Sequence, residues 1–182
     1  EPTAAQVEGG CNGTMRADLR TRGVKAHSAR SWMGENAIHA AAGILNVLQG
    51  YEPAEVEVDG LFYREGLNAV LINGGIATNV IPDDCVVTVN YRFAPSKSAE
   101  DAEAHIRDVF AGFEVEIVDQ AEGARPGLDR QEAIDFVAAT GAQARPKYGW
   151  TDVARFSALG IPAVNYGPGD PSKAHADDEN VP

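Results

Sequence analysis

Cys85-Val86-Val87-Thr88-Val89-Asn90-Tyr91-Arg92-Phe93 is the strongest strand signal in this chain, and its reading decides the fold. The run is β-branched, aromatic and alternating, and Pro82-Asp83-Asp84 turns the chain into it. Upstream, Thr14-Met15-Arg16-Ala17-Asp18-Leu19-Arg20 alternates like a half-exposed strand and runs into a turn at Gly23. Asn36 then reads as a helix N-cap, and Ile38, Ala41, Ala42, Leu45 and Leu48 form one apolar helical stripe that Gly50 ends. Residues 56–62 and 69–76 read as strands separated by Arg64-Glu65-Gly66. Ser98 caps a second helix through Phe110, with Ala102, Ile106, Val109 and Phe110 inward, and residues 114–118 form a closing strand. Strand, helix, strand, strand, helix, strand is the ferredoxin-like split arrangement (βαββαβ), an α+β fold with two helices on one face of a sheet.

Downstream the composition changes. Glu122-Gly123-Ala124-Arg125-Pro126-Gly127-Leu128 is a linker by its Gly and Pro content. A helix over residues 132–139 follows, and Tyr148-Gly149-Trp150-Thr151-Asp152 opens a short helix with Thr151 as N-cap. Residues 161–166 read as a short buried strand before the loop Gly167-Pro168-Gly169-Asp170. This α/β tail has too few elements to close a core by itself, so it needs a sheet from elsewhere.

At 182 residues the chain has room for one good domain, or for a domain plus a fragment of another. Its net charge of -12 argues against a nucleic-acid surface and against docking on anionic lipid. No apolar run approaches the roughly 20 residues of a membrane span. Signal-peptide architecture is absent, and the chain opens on Glu1 rather than Met, so the native start is not shown. Cys11 and Cys85 have neither zinc-type nor redox-type spacing and read as reduced, semi-buried residues of a cytoplasmic protein. Nitrogen ligation of a metal therefore falls to the four histidines.

Two segments place able side chains at strand ends, where a rigid scaffold presents function. They are Gly23-Val24-Lys25-Ala26-His27-Ser28-Ala29-Arg30 and Ala77-Thr78-Asn79-Val80-Ile81-Pro82-Asp83-Asp84. Together they resemble the lid, or dimerisation, domain of the dinuclear-zinc aminoacylase/carboxypeptidase metallopeptidases, a family that includes succinyl-diaminopimelate desuccinylases. Three further motifs extend the resemblance over essentially the whole chain. Glu1-Pro2-Thr3 looks like the end of a Gly-Glu-Pro-Thr motif. The stretches at residues 149–156 and 160–169 match an active-site loop, and Lys173-Ala174-His175-Ala176-Asp177-Asp178-Glu179 looks like the family's C-terminal histidine motif. Residues 26–32, taken with Tyr63-Arg64-Glu65-Gly66-Leu67-Asn68, are most similar to desuccinylases of actinobacterial type.

The resemblance implies a division into residues 1–11 as the end of one catalytic segment, 12–119 as the lid, and 120–182 as the C-terminal part of an incomplete catalytic domain. It implies zinc, two ions per subunit with cobalt as a substitute metal. Glu1 would ligate one and His175 the other, in keeping with zinc's preference for carboxylate and imidazole. The remaining ligands and the general-base glutamate would lie upstream of Glu1. His27 would hydrogen-bond the tetrahedral oxyanion from the partner subunit, and Asn79 would contact substrate from the lid. Arg92 would grip the substrate's terminal carboxylate, with Thr151, Gly169 and Asp170 lining the same pocket. The expected partners are a second copy, joined through the lid, and a small-molecule substrate, N-succinyl-LL-2,6-diaminopimelate.

Taken alone, these residues have plainer readings. Glu1 is a terminal acid, His175 a solvated loop histidine and Asn79 a turn residue. Arg92 suits a surface ion pair, His27 is a strand-end histidine, and His39 and His105 are structural or surface residues. Two features depart from relatives: Cys11-Asn12 stands where some desuccinylases carry two arginines, and Trp150 replaces a small residue, which would narrow the pocket. Another deacylase or dipeptidase of the family, such as an acetylornithine deacetylase or aminoacylase, and a non-catalytic dimerisation module remain the alternatives.

Overall fold

Alternation along the 85–93 run sets the architecture of the computed structural model, which describes residues 1–173, 176–178 and 180–181. Cys85, Val87, Val89, Tyr91 and Phe93 are buried, while the residues between them keep partial exposure. In chain order the strands and helices are β1 (Val7–Gly9), β2 (Gly13–Arg22), β3 (Ala26–His27), α1 (Ala37–Ala40), α2 (Ala42–Gln49), β4 (Glu55–Val58), β5 (Leu61–Arg64), β6 (Gly66–Gly74), β7 (Val80–Ile81) and β8 (Asp84–Phe93). They continue as α3 (Ala99–Val109), β9 (Glu114–Ala121), α4 (Gln131–Thr140), β10 (Ala144–Pro146), α5 (Val153–Ala158) and β11 (Val164–Asn165).

The lid sheet has the order β6-β8-β2-β9 and is antiparallel throughout. That order, with helices between its first two and its last two strands, is the ferredoxin-like arrangement. One sheet face and the helices share a core of Met15, Leu19, Ile44, Val89, Ile106 and Phe110. The other face is polar: Thr88 donates to Asp18 at 2.6 Å, Arg16 pairs with Asp119, and Arg20 with Asp84. A second, small sheet sets β1 parallel to β10 and antiparallel to β11, so residues 7–9 belong with the tail.

Local signals explain the helix ends. Asn36 Oδ1 accepts from the backbone N–H groups of Ile38 and His39. Ser98 and Asp101 form a reciprocal capping box at the start of α3. Between the helices and β8 lies a buried polar network. Glu65 accepts from Ala94 N–H at 2.8 Å, Tyr91 O–H at 2.9 Å and Lys97 Nζ at 2.8 Å. His105 stacks on Tyr91 and shares a 2.9 Å hydrogen bond with Tyr51.

Several expectations are corrected. Residues 56–62 are not one strand: Asp59 and Gly60, both at positive φ, turn the chain so that β4 and β5 pair as a hairpin. The helical stripe is rotated by one position, because Ala37, Ala41 and Ile44 are buried while Ile38 and Leu45 are 42% and 41% exposed. Strand β9 runs on to Ala121, and the strand at 161–166 shrinks to Val164–Asn165. Thr151 does not cap α5; Asp152 holds that position and makes no side-chain cap bond. Both cysteines are fully buried rather than semi-buried. Among the described residues no helix is long and apolar enough to cross a membrane.

Candidate functional site

The expected site residues fall into two groups at opposite ends of the lid. His27 and Asn79 share the far end. Strands β3 and β7 pair there, with His27 opposite Val80, and Ser28 N–H donates to the Asn79 carbonyl at 2.9 Å. His27 caps the 3-10 turn Ser28–Met33, and its Nδ1 accepts from Ala29 N–H at 3.1 Å. With Nδ1 used as an acceptor, the neutral imidazole carries its proton on Nε2, which makes that nitrogen a donor toward solvent. Both side chains are exposed.

The second group gathers where the lid joins the tail. Cys11 and Ala124 exchange backbone hydrogen bonds at 2.9 and 3.0 Å, so the two connecting segments run side by side. The approach is close enough that a side chain at Gly123 would strike the Cys11 carbonyl. Asn12 N–H donates to the Lys147 carbonyl, and its Nδ2 donates to the Arg64 carbonyl at 2.8 Å. Asn12 Oδ1 and Thr151 Oγ1 are buried without a hydrogen-bond partner among the described residues.

Arg92 lies on the polar sheet face at this end, opposite Thr14 and Gly66. It is half-buried and has no acidic partner among the described residues. Burial, and after it the charge of Arg16, hold its pKa below the usual arginine value. A guanidinium that is partly stripped of water and unpaired is ready for an incoming carboxylate. Trp150 packs against the buried cluster that includes Cys11 and Ala124 at this junction. Its Nε1 donates to the Glu122 carbonyl at 3.0 Å, and the Arg155 guanidinium lies over its ring at 5.5 Å.

Glu1 sits on the tail beside the loop after β11. Thr3 Oγ1 accepts from Gly167 N–H at 3.1 Å, and Ala4 N–H donates to the Gly169 carbonyl at 2.7 Å. Gly169 and Asp170 line a cavity of about 430 Å³ together with Ala4, Ala5 and Lys173. Asp170 Oδ1 accepts from the Ser172 hydroxyl and N–H, which hold its carboxyl below the usual range. His175, the expected second ligand, lies outside the described residues. Among the described residues no three His, Cys, Asp or Glu side chains cluster as a metal ion requires, so Glu1 offers a single donor and not a complete site.

Sequence reading missed Lys147 and Glu8. Lys147 Nζ lies 2.9 Å from Glu8 and 3.2 Å from Glu1. Burial opposes its charge, yet the neighbouring Glu8 and Glu1 carboxylates keep its pKa above the usual lysine value. The one available signal was a lysine directly after the short Arg-Pro strand end, which no motif singles out.

Two lengths separate the groups. Strand β2 runs ten residues from Gly13 at the junction to Arg22, and His27 lies beyond it. At ~3.3 Å per residue, roughly 30 Å divide His27 from the Arg92 and Glu1 end of the same chain.

Comparison with known proteins gives the same outline. Residues 10–116 match the family described as the peptidase dimerisation domain. The chain is 56% identical, over its full length, to 52% of a Mycobacterium tuberculosis protein that bears succinyl-diaminopimelate desuccinylase DapE as a provisional name. It is 47% identical, again over its full length, to 51% of a succinyl-diaminopimelate desuccinylase of Corynebacterium glutamicum. The chain thus spans about half the length of these relatives. Among solved structures, the M20 family metallo-carboxypeptidase Sso-CP2 from Sulfolobus solfataricus superposes with a TM-score of 0.68 at 15% identity, covering 97% of this chain and 55% of that one. That likeness concerns the fold.

Proposed function

This chain belongs to the peptidase dimerisation domain family, and on that premise we propose that it is the lid and C-terminal part of a zinc-dependent amide hydrolase. Its substrate is N-succinyl-LL-2,6-diaminopimelate, cleaved to succinate and LL-2,6-diaminopimelate. The two desuccinylase-named relatives, identical at 56% and 47% across the whole chain, support that substrate. The proposed division remains 1–11, 12–119 and 120–182.

The observation that carries the mechanism is the separation of His27 from the Glu1 end along β2. One subunit cannot close that gap without dismantling its sheet, so His27 serves a second copy. The free edge of β6 and the outer face of α1 and α2 make the contact. Leu71 and Ile76 are 61% and 76% exposed there, and Ile38 packs against Gly74 of the same strand. An isologous, two-fold contact across that face carries each lid end toward its partner's site.

Zinc, when bound, polarises the scissile carbonyl and supplies hydroxide near neutral pH. Glu1 would ligate one zinc and His175 the other. His27 offers Nε2–H to the developing oxyanion, and Asn79, held on the same end by Ser28, orients the substrate. Arg92 takes the terminal carboxylate, and Thr151, whose hydroxyl has no hydrogen-bond partner among the described residues, lines the same pocket. Asn12 is tied to the Arg64 carbonyl, so carboxylate recognition on the lid falls to Arg92 rather than to residues 11 and 12. A substrate screen of the full-length protein tests this: desuccinylation should exceed deacetylation of acetylornithine by orders of magnitude. Equal or reversed rates would reject the substrate assignment.

A further inference from the structure

Lys147 stands between two carboxylates, Glu8 at 2.9 Å and Glu1 at 3.2 Å. The lysine side chain is 11% exposed and that of Glu8 12%, against 46% for Glu1. Glu8 by itself balances the lysine charge, so charge neutrality does not require the contact with Glu1. What that contact does is hold a carboxylate that has no other side-chain partner among the described residues. The Glu1 backbone is already seated, because Gly167 has no side chain where the Glu1 carbonyl passes, and Thr3 bonds to Gly167 through both its N–H and its hydroxyl. Lys147 approaches Oε2, and Oε1 has no hydrogen-bond partner among the described residues.

We propose that Lys147 is a positioning residue that fixes the Glu1 side chain so that its free oxygen faces the divalent metal. The proposal rests on the assignment of Glu1 as a ligand. A glutamate free to rotate loses that freedom when it binds a metal, and a neighbour that has already fixed it removes part of the cost. Glu8 completes the device. An unpaired lysine next to a cation would repel it, whereas a buried Lys–Glu pair presents almost no net charge. Partners that orient metal ligands change metal affinity by about 10–100-fold when lost.

The test uses full-length protein and reads metal binding rather than turnover. Lys147→Met alone strands the Glu8 carboxylate and risks unfolding. The informative variant is therefore Glu8→Gln with Lys147→Met, which removes both charges together. It should melt close to wild type, yet hold the more weakly bound metal about 10–100-fold less tightly in chelator competition. The visible bands of its cobalt-substituted form should shift, and Lys147→Arg should recover most of the affinity. Wild-type affinity and cobalt bands in the double variant would overturn the proposal, leaving Lys147 as no more than a counter-ion for Glu8. Glu1→Gln separates the two ideas. Unchanged metal binding in that variant overturns the ligand assignment itself, while loss there with an intact double variant overturns only the role of Lys147.

Discussion

Ser28 donates its backbone N–H to the carbonyl of Asn79 at 2.9 Å, which makes the His27 loop and the Asn79 turn one mechanical unit. The adjoining β3–β7 pair, Ala26 with Ile81 and His27 with Val80, stiffens it further. Any motion of this end therefore carries both side chains together, which suits the proposed roles of a donor and an orienting group on one molecule.

The first prediction concerns the exposed apolar face. Leu71→Glu on the free edge of β6, combined with Leu45→Glu on α2, puts like charges around the two-fold axis without touching the core. Full-length wild type should sediment as a dimer at tens of micromolar, through an interface of about 1,200–2,000 Å². The double variant should sediment as a monomer with an unchanged circular dichroism spectrum. A variant that stays dimeric would place the contact on another surface.

A second prediction follows from Glu65. Its buried carboxylate satisfies Ala94 N–H, Tyr91 O–H and Lys97. Glu65→Ala leaves two buried donors without an acceptor and should cost about 3 kcal/mol. For a chain of this size that is a fall in Tm of roughly 6–12 °C. Glu65→Gln keeps an acceptor oxygen and should lose less. Equal melting of the alanine variant and wild type would show that water replaces the carboxylate without loss.

The pH dependence of lid stability gives a third. Burial, and after it the charge of Lys97, hold the His105 pKa below its ordinary value. The unfolded chain therefore binds this proton more readily than the folded one, and stability rises with pH across the window. The contribution is complete above the unfolded histidine pKa of about 6.5 and is lost as pH falls through the lower folded value. Urea midpoints of wild type should drop more between pH 7.5 and 5.5 than those of His105→Gln, which cannot titrate there. Parallel drops would assign the acid sensitivity to other groups.

Much of the lid was legible because its signals are local. Ser98 with Asp101, Asn36 before its helix, and the alternation of Val87, Val89 and Tyr91 each act within a few residues. The hairpin at Asp59-Gly60 was equally local, but Val56–Phe62 alternates on both sides of the turn and so mimicked a single strand. The helical stripe failed for a different reason. The helix has apolar residues on two faces, and sequence does not say that Ile44 fills the core while Leu45 faces outward. Within the site, His27 and Asn79 stood out as strand-end residues. Lys147 did not, because its meaning lies in its contacts with Glu1 and Glu8, which only the folded tail brings together.

The last prediction tests whether His27 works across the dimer. In full-length protein, His27→Ala should keep its metal and lower kcat by about 10²–10³-fold, the usual loss of an oxyanion donor. Glu1→Ala should damage the metal site while keeping a sound His27. Each homodimer is then nearly inactive, for a different reason. When subunits exchange, half the dimers are mixed. In each of these the His27→Ala chain keeps its metal site and receives an intact histidine from its partner. One good site of two, in half the dimers, returns about a quarter of wild-type activity. If His27 instead served its own subunit, no site in the mixture would hold both parts. The roughly 30 Å of β2 between the two groups argues against that arrangement. Exchange confirmed by mass spectrometry with no recovery of activity would mean that the lid folds back on its own chain.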